Sequence, residues 1–348
     1  MLSLFIPLGI LLASSLIVLS TLSTHFFVLQ IAWIALGAGL VAFFFYMDWR
    51  AVFNHRWVVW GIYLGALGLM LFAFLFGPRI RNTRSWLIVG PVEIQPAEFV
   101  KVALIFLFAQ YFSRRHLAVA RWQTILSSFA FFAIPAAIAA RLPDLGSAVI
   151  FFSIWFGFLL LSGLPWKRIA VAAVAFVLAG AFIWTFVFKS YHRARIIGFF
   201  YPQQNQLGIN YSTIQSKVAI GSAGFLGTGY GQGTQAQLGF LSEPAEDFIL
   251  SSLIEEWGVL GGLVILAAFF WLVYSILRIG ALADENFEKY ICLGTAVMLI
   301  VQFALNAGSS TGLLPVVGVT FPFLSYGGSS MLADFSLIAV VNSIRRRS

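Results

Sequence analysis

Residues 241–258 read LSEPAEDFILSSLIEEWG and place three acidic side chains, Glu243, Glu246 and Asp247, directly before an apolar helical run. Only 10% of the 348 residues are charged. An acidic side chain inside a membrane costs roughly 2.5–3.5 kcal/mol on insertion scales, so an acidic residue at the mouth of an apolar helix is a functional candidate. The stretch therefore predicts a membrane-spanning helix from residue 248 and a reactive carboxylate, Asp247, at its outer end.

The composition of the whole chain is that of a helical membrane protein. Hydrophobic residues make up 60% of the sequence and aromatic residues 17%, and the mean hydropathy is +0.93. Apolar runs of about 20 residues, the length that crosses a bilayer, recur along nearly the whole chain and leave no room for a separate soluble domain. We therefore predict an all-α, polytopic protein in a single domain, 1–348, with about ten transmembrane helices. The predicted spans are 4–20, 26–47, 57–77, 97–112, 124–140, 147–163, 168–188, 248–277, 290–307 and 331–344.

The positive charges in the short loops predict the orientation of these spans. With the N-terminus inside, most Lys and Arg residues fall in cytoplasmic loops, and the exceptions are Arg79, Arg81 and Arg84. Both termini are then cytoplasmic, and the longest connection, 189–247, is a large extracellular loop before the eighth helix. The net charge of +8 is scattered singly between apolar runs, which does not predict nucleic-acid binding. We attribute this positive charge to the topology of a protein surrounded by membrane lipids and to the binding of an anionic lipid substrate.

Glu98 and Lys101 form a charged pair inside an apolar run. They lie three residues apart at the start of the fourth predicted span, just after Pro96, and therefore share one helical face. Neither charge belongs against lipid tails, so both are expected to face protein or water. Two interpretations stay open at this point, a structural ion pair and direct binding of a substrate.

The predicted extracellular loop carries cations and glycines. Arg193, Arg195 and Lys217 are the expected anion-binding residues, because a diphosphate needs fixed positive charge near it. The glycine-rich stretch 221–233 is compatible with a phosphate-binding turn, although it lacks the ending of a P-loop. The alternative for this stretch is a set of tight turns and close helix contacts.

Asp247 itself has two opposed interpretations. It directly precedes the eighth span, where an aspartate is a good N-cap and the helix dipole favours the charged carboxylate. The negative charges of Glu243 and Glu246, together with burial at the membrane edge, are expected to raise its pKa instead, toward the range that a general base needs. The four histidines are too dispersed for a zinc site, so no metal-binding residues are predicted. Mg²⁺ or another divalent cation, shared by carboxylates and a diphosphate, stays compatible with the pattern.

The stretch 306–330 is rich in small and hydroxyl-bearing residues. Such residues at the ends of membrane helices permit close packing and hydrogen bonds between helices. A structural role is therefore the first expectation for this stretch. Ser325 and Tyr326 are in addition candidates for contact with a sugar.

Several motifs, in the same order, resemble the SEDS family of bacterial cell-wall polymerases, and the resemblance covers nearly the whole chain. The motifs are Arg84-Ser85-Trp86-Leu87, Gln95-Pro96-Ala97-Glu98 with Lys101, Pro143-Asp144-Leu145-Gly146, Gln215-Ser216, Ala219-Ile220-Gly221-Ser222, Gln232-Gly233-Thr234-Gln235, Asp247-Phe248-Ile249, Glu255-Glu256-Trp257-Gly258 and Pro322-Phe323-Leu324-Ser325-Tyr326-Gly327-Gly328-Ser329-Ser330. The motif at 232–235 resembles the elongation member of the family more than the division member. Before the aspartate the family usually has Pro-Glu and then His-Thr, whereas this chain reads Ser242-Glu243-Pro244-Ala245-Glu246.

The resemblance implies a peptidoglycan glycosyltransferase in the bacterial cytoplasmic membrane. Such a protein polymerises lipid II at the outer face of that membrane during cell elongation, together with a class B penicillin-binding protein and the elongation machinery. The essential aspartate of the family falls on Asp247, and its paired Glu and Lys fall on Glu98 and Lys101. Gln215 and Ser216 are further candidates for substrate binding.

Glycosyl transfer from a lipid diphosphate is chemically consistent with these residues. A carboxylate, here Asp247, takes the proton of the acceptor hydroxyl, and cations stabilise the leaving diphosphate. A single base predicts inversion at the anomeric carbon. Two other functions stay open. One is a lipid II flippase in which Glu98, Lys101, Glu255 and Glu256 line a path at mid-membrane depth, and the other is a scaffold that only activates a transpeptidase.

Overall fold

Long helices account for most of the chain. The structure, a computed structural model, describes residues 2–47, 49–53, 55–78, 83–90, 92–114, 122–163, 165, 167–168, 170–171, 174, 190–201, 208 and 210–347. The described helices are α1 (Leu2–Leu22), α2 (Thr24–Tyr46), α3 (Trp49–Phe53), α4 (Arg56–Phe76), α5 (Pro96–Ser113), α6 (Trp122–Arg141), α7 (Leu145–Leu161), α8 (Ser190–Phe200), α9 (Tyr211–Ser222), α10 (Thr234–Gln237), α11 (Ile249–Leu282), α12 (Asn286–Thr311) and α13 (Gly328–Arg347).

The predicted spans agree closely with these helices. Nine of the ten predicted segments overlap α1, α2, α4, α5, α6, α7, α11, α12 or α13. Seven described helices are long and apolar enough to cross a membrane, while α7 is apolar but shorter. The remaining prediction, 168–188, lies almost wholly outside the described residues, as do Arg79 and Arg81. The all-α, multi-pass class is confirmed, whereas the single-domain organisation stays a prediction.

A short hairpin before α5 is the one β element among the described residues, and the sequence did not predict it. Strands β1 (Leu87–Val89) and β2 (Val92–Ile94) pair antiparallel, with Ile88 opposite Glu93. Pro96 then opens α5 at a position where its missing N–H has no intrahelical acceptor. The hairpin also contacts the start of α13, because the Gln95 backbone N–H donates to Ser329 Oγ at 2.9 Å. Hairpin, α5 and α13 therefore meet at one end of the bundle.

Helix α5 lies at the centre of the bundle. Fourteen of its residues are buried, and it packs against α4, α6, α7, α12 and α13. Burial on all sides explains why its charged side chains must find partners inside the protein, since neither water nor lipid headgroups reach them.

The predicted extracellular loop 189–247 contains helices that dock on the bundle. Helix α9 packs against α11 and α12. The hydroxyl of Ser216 on α9 is fully buried, lies 2.6 Å from Ser251 Oγ of α11 and donates to the Ser310 carbonyl of α12 at 2.6 Å. This side of the loop is therefore held by hydrogen bonds and packing.

Helix α11 is interrupted at Gly258, and the glycine-rich stretch of the loop fills the interruption. Gly258 has a positive φ of 71°, a backbone conformation that glycine adopts without steric cost. The carbonyls that the kink frees are taken by the loop: Thr228 N–H donates to the Glu255 carbonyl at 2.9 Å, and Gly229 N–H donates to the Glu256 carbonyl at 3.0 Å. Of the two interpretations of this stretch, the structure therefore presents tight turns and a close helix contact.

Candidate active site

A cavity of about 1190 Å³ opens between the hairpin, the turn joining α6 to α7, the segment before α11 and residues 317–330. Ligand pockets for drug-sized molecules are typically about 300–1,000 Å³, so this cavity has room for a larger substrate. The charged side chains that line it are Arg84, Glu93, Arg141, Asp144, Glu246 and Asp247. The predicted base therefore lies in the wall of a large cavity that also holds two guanidinium groups.

The backbone of Asp247 is fixed by a buried amide. Asp247 is half-buried and directly precedes Phe248, which is the N-cap residue of α11. Asn306 of α12 is fully buried, and its Nδ2 donates to the Asp247 carbonyl at 2.9 Å and to the Val319 carbonyl at 2.8 Å. One side chain therefore ties the start of α11 to the opposite segment of the cavity wall. Sequence reasoning did not single out Asn306.

The residues just before Asp247 are held by the segment that precedes α13. The hydroxyl of Ser325 donates to the Glu246 carbonyl at 2.6 Å and accepts from the Phe321 N–H at 2.8 Å. The Tyr326 N–H donates to the Ala245 carbonyl at 2.9 Å. Ser325 is only 3% exposed. Its hydroxyl therefore holds the Asp247 segment in place, and the wall of the cavity is formed by the neighbouring Tyr326.

Tyr326 presents an aromatic ring to the cavity. The ring stacks on Phe26 with centroids 4.5 Å apart. Burial raises the pKa of the Tyr326 hydroxyl, and the charges of Glu246 and Glu93 raise it further. The neutral hydroxyl is therefore the form present at physiological pH, and it is suited to hydrogen bonding with a sugar.

Glu98 and Lys101 lie in a separate, sealed cluster. Lys101 Nζ donates to Glu98 Oε1 at 2.7 Å, and the two residues are 1% and 5% exposed, respectively. Asp334 of α13 interacts electrostatically with both of them, and neither of its carboxylate oxygens has a hydrogen-bond partner in the described part of the chain. None of the three side chains lines the large cavity. The structural ion pair is therefore the interpretation that the geometry favours, and Asp334 is an addition that the sequence did not reveal.

The other predicted binding residues lie apart from Asp247. Lys217 is exposed and lines a second cavity of about 110 Å³, and Gln215 is half-buried on the same helix, α9. Arg193 lies half-buried on α8. Arg195 belongs to the same helix, and its side chain is outside the described residues. Ser216 is buried between helices, as described above. The structure does not gather these side chains around the large cavity, and their contact with a substrate stays a prediction.

The glutamates at the kink of α11 have partners within the protein. The carboxylate of Glu255 accepts from the Gln235 N–H at 2.7 Å and from the Ala236 N–H at 3.2 Å, and Glu256 accepts from Gln237 Nε2 at 3.2 Å. Both glutamates are no more than 1% exposed. They therefore anchor the start of α10 to α11 and do not line the large cavity.

The cations of the cavity are the residues that sequence reasoning largely missed. Arg84 was named only as an exception to the charge distribution of the loops and as part of a family motif, and Arg141 was not singled out. The available signal was the position of Arg141, three residues before Asp144 of a recognised motif. A lone arginine at the end of an apolar helix is also a common interfacial anchor, so its position alone does not indicate a site.

Comparison with known proteins identifies the family. The model of the FtsW/RodA/SpoVE family, described as cell cycle proteins, matches residues 1–348. The chain belongs to this family. It is 35% identical over 287 residues to the peptidoglycan glycosyltransferase MrdB of Escherichia coli K12, which covers 82% of this chain and 77% of MrdB. It is 32% identical over 325 residues to the stage V sporulation protein E of Bacillus subtilis, with 90% and 85% covered.

Solved structures share the fold over nearly the full length of this chain. A chain from a peptidoglycan synthase complex that coordinates polymerization and crosslinking matches with a TM-score of 0.85 and 25% identity, covering 99% of this chain and 97% of that one. The rod shape determining protein RodA of Thermus thermophilus matches with a TM-score of 0.74 and 22% identity, covering 99% and 96%. The resemblance to a SEDS-family protein close to RodA is therefore confirmed.

Proposed function

We propose that this multi-pass membrane protein is a peptidoglycan glycosyltransferase that polymerises lipid II, with Asp247 as the general base. The observation that carries the proposal is the placement of Asp247. Its half-buried carboxylate lines a cavity of about 1190 Å³ in a membrane bundle, and two arginines line the same cavity. Glycosyl transfer from a lipid diphosphate needs these two kinds of group, a proton acceptor and fixed cations.

The reaction balances with the groups in the cavity. Asp247 accepts the proton of the acceptor sugar's hydroxyl while the hydroxyl oxygen forms a bond to the anomeric carbon of the donor. The bond between that carbon and the donor diphosphate breaks, and its electron pair goes to the diphosphate oxygen. Attack opposite the leaving group inverts the anomeric centre, in contrast to retaining hydrolases, which use two carboxylates in turn. The rigid hold of Asn306 on the Asp247 backbone supports this role, because a base must be fixed within hydrogen-bond reach of the proton it accepts.

The setting of the reaction follows from the same proposal. We place the protein in the bacterial cytoplasmic membrane with both termini in the cytoplasm, and the cavity at the outer face, where lipid II is polymerised during cell elongation. The prenyl chain of the substrate would lie among the membrane helices, which explains why a sugar-transferring site is built on a membrane bundle. MrdB of E. coli, a similar protein, supports the assignment of the reaction class.

The proposed partners are a class B penicillin-binding protein and, through it, the elongation machinery. The similar chain in a peptidoglycan synthase complex supports a transpeptidase partner. Mg²⁺ or another divalent cation is proposed only as an ion that oxygens of the substrate diphosphate and the carboxylates of Glu246 and Asp247 coordinate together. In the described part of the chain no three His, Cys, Asp or Glu side chains are grouped to hold a metal ion by themselves.

The experiment that tests the base assignment compares the wild type with Asp247→Asn. Each protein is purified with its transpeptidase partner, and polymerisation of labelled lipid II is followed on a gel. We expect the variant to lose about 10²–10⁴-fold in rate, the usual contribution of a general base. Asp284→Asn is the matched control, because Asp284 is exposed in the loop between α11 and α12, away from the cavity.

The outcomes separate the alternatives. Polymer from the wild type and from Asp284→Asn, with none from a folded, partner-bound Asp247→Asn protein, supports the proposal. Undiminished polymer from Asp247→Asn removes this residue as the base. Absence of polymer from a folded, partner-bound wild type contradicts the enzymatic function and favours a flippase or a scaffold.

A further inference from the structure

Arg141 is a cavity residue to which neither the motifs nor the similar proteins assign a role. It is the last residue of α6, and its side chain is exposed and lines the same cavity as Asp247. The next residue, Leu142, is buried, and its N–H donates to the Ile138 carbonyl at 3.0 Å. The chain on either side of Arg141 is therefore anchored in the protein while its guanidinium faces the cavity.

The acidic residue nearest in sequence does not neutralise this charge. Asp144 caps α7, and its carboxylate accepts from the Ser147 N–H at 3.0 Å, the Ser147 hydroxyl at 2.7 Å and Gln95 Nε2 at 3.2 Å. These three donors account for the carboxylate. Within the described ranges, Arg141 has no hydrogen-bond or ion-pair partner. Its five N–H donors are therefore open to a ligand in the cavity.

One segment of chain connects the turn that carries Arg141 with Asp247. Gly146, at the start of α7, packs so closely on the segment 317–319 that a Cβ at this position would lie 2.7 Å from the Val317 carbonyl oxygen. A Cβ at Gly318 would lie 3.8 Å from Asp247 Oδ2. The turn therefore contacts one side of this segment, and the carboxylate of Asp247 approaches its middle residue. Arg141 and Asp247 belong to one continuous wall.

The distribution of charge in the cavity restricts where an anion can bind. The acidic side chains of the lining are Glu93, Asp144, Glu246 and Asp247, and they repel a diphosphate. Arg84 is the second arginine of the lining, and among the described residues its Nη1 donates to the Leu75 carbonyl, at 3.5 Å. Guanidinium groups bind phosphate oxygens through two parallel N–H donors, which makes such pairs stronger than neutral hydrogen bonds.

We propose that Arg141, together with Arg84, binds the diphosphate of the donor lipid, the group that leaves in the reaction. This inference rests on the proposed function and adds to it the residue that binds the leaving diphosphate. Arg141 stabilises the negative charge that forms on the diphosphate oxygen as its bond to the anomeric carbon breaks. The proton goes to Asp247 and the electron pair to the diphosphate. Asp247 therefore acts on the attacking hydroxyl, and Arg141 acts on the leaving diphosphate of the same displacement.

The test measures polymerisation of lipid II by the full-length protein with its transpeptidase partner. The variants are Arg141→Gln, Arg141→Lys and, as the control, Arg278→Gln, since Arg278 is exposed on α11 and is not part of the cavity. The added probes are undecaprenyl diphosphate and undecaprenyl monophosphate as inhibitors. For Arg141→Gln we expect a fall of about tenfold or more in kcat/KM for lipid II, with a lower kcat as well as a higher KM.

The inhibitors distinguish a diphosphate contact from a general loss of charge. Arg141→Gln should weaken inhibition by the diphosphate by about tenfold and leave inhibition by the monophosphate nearly unchanged. Arg141→Lys should fall between the wild type and Arg141→Gln, because lysine keeps the charge without the planar pair of donors. Arg278→Gln should behave as the wild type.

Two results would overturn parts of the scheme separately. Wild-type kinetics and unchanged diphosphate inhibition in Arg141→Gln would reject the inference while the proposed function stands. Absence of polymer from the wild type would reject the proposed function itself. In that case, direct binding of undecaprenyl diphosphate to the wild type but not to Arg141→Gln would still establish the anion site, and equal binding to both would reject it.

Discussion

The molecule contains two clusters of charged side chains that differ in their access to ligands. Arg84, Arg141 and Asp247 line an open cavity of about 1190 Å³. Glu98 and Lys101, by contrast, are buried in a tight ion pair within the bundle. Both clusters combine acidic with basic side chains, so the presence of opposite charges does not distinguish a candidate site from a structural contact. Access to a cavity separates the two clusters.

The energetics of the two clusters differ for the same reason. A buried ion pair loses its hydration, and removal of one partner leaves the other charge without compensation, which typically costs about 3–5 kcal/mol. A charge at a cavity stays hydrated until a ligand replaces the water. We therefore expect changes in the sealed cluster to affect mainly stability and changes at the cavity to affect mainly activity.

The largest effect on stability is expected for Lys101→Met. This change leaves the Glu98 carboxylate buried beside Asp334 without a cation, and we expect a loss of about 3–5 kcal/mol. The midpoint of thermal unfolding of the purified protein in detergent measures it. Lys101→Met combined with Glu98→Gln should recover much of the loss, because no uncompensated charge remains at that pair. A single variant as stable as the wild type would show that the pair is not structural.

The next largest effect, a loss of polymerisation rate, is expected for Asn306→Ala, a change in the wall of the cavity. The change removes the donor shared by the carbonyls of Asp247 and Val319. Small displacements of a catalytic group can lower a rate by about 10²-fold, and we expect a loss of this order in lipid II polymerisation. Thr295→Ala is the matched control on the same helix, because in the part of the chain that the structure describes the Thr295 hydroxyl bonds only to the Ile291 carbonyl within its own helix. Equal losses in both variants would contradict a specific role for Asn306.

A smaller effect is expected for Gly146→Ala. The added Cβ would lie 2.7 Å from the Val317 carbonyl oxygen, so the wall segment must shift. Such overpacking typically costs about 1–3 kcal/mol, and the shift should also lower the polymerisation rate. Gly39→Ala on α2 serves as the control, because a Cβ there meets nothing within 4 Å. Unchanged thermal unfolding and rate in Gly146→Ala would show that the wall is not tightly packed at this point.

The smallest effect concerns pH and Tyr326. The pKa of the Tyr326 hydroxyl is raised in the folded protein, first by burial and then by Glu246 and Glu93. The unfolded chain therefore releases this proton at a lower pH than the folded protein does. The stability that this tyrosine contributes is complete below about pH 10 and is lost as the pH rises toward the folded pKa. Thermal unfolding of Tyr326→Phe should show a weaker decrease in that alkaline range, and an identical pH profile would contradict it.

Much of the architecture could be predicted because the bilayer imposes it. Apolar runs must be helical to satisfy their backbone hydrogen bonds in lipid, so the long spans were readable from composition and length. The hairpin of β1 and β2 was missed because it has only three residues in each strand and depends on contact with α13. The helices inside 189–247 were missed because they are short segments stabilised by docking, such as that of Ser216.

The sequence predicted the candidate base, Asp247, but not the residues that surround it. Asp247 was recognised because acidic residues are rare in an apolar chain and because its motif resembles that of a known family. Its expected companions Lys217 and Lys101 lie elsewhere, while Asn306 bonds to its backbone carbonyl and Arg141 lines the same cavity, although both are distant in the chain. Proximity between segments more than fifty residues apart depends on helix packing, which leaves no local pattern in the sequence.

The sequence by itself determined the class of the protein, the positions of most spans and the identity of the candidate base. These properties follow from hydrophobicity and from charges in lipid, which act residue by residue. Only the tertiary structure decided which charges meet a cavity and which are sealed. That division depends on how α5, α7, α11, α12 and α13 pack, since a side chain is accessible or buried only relative to its neighbours.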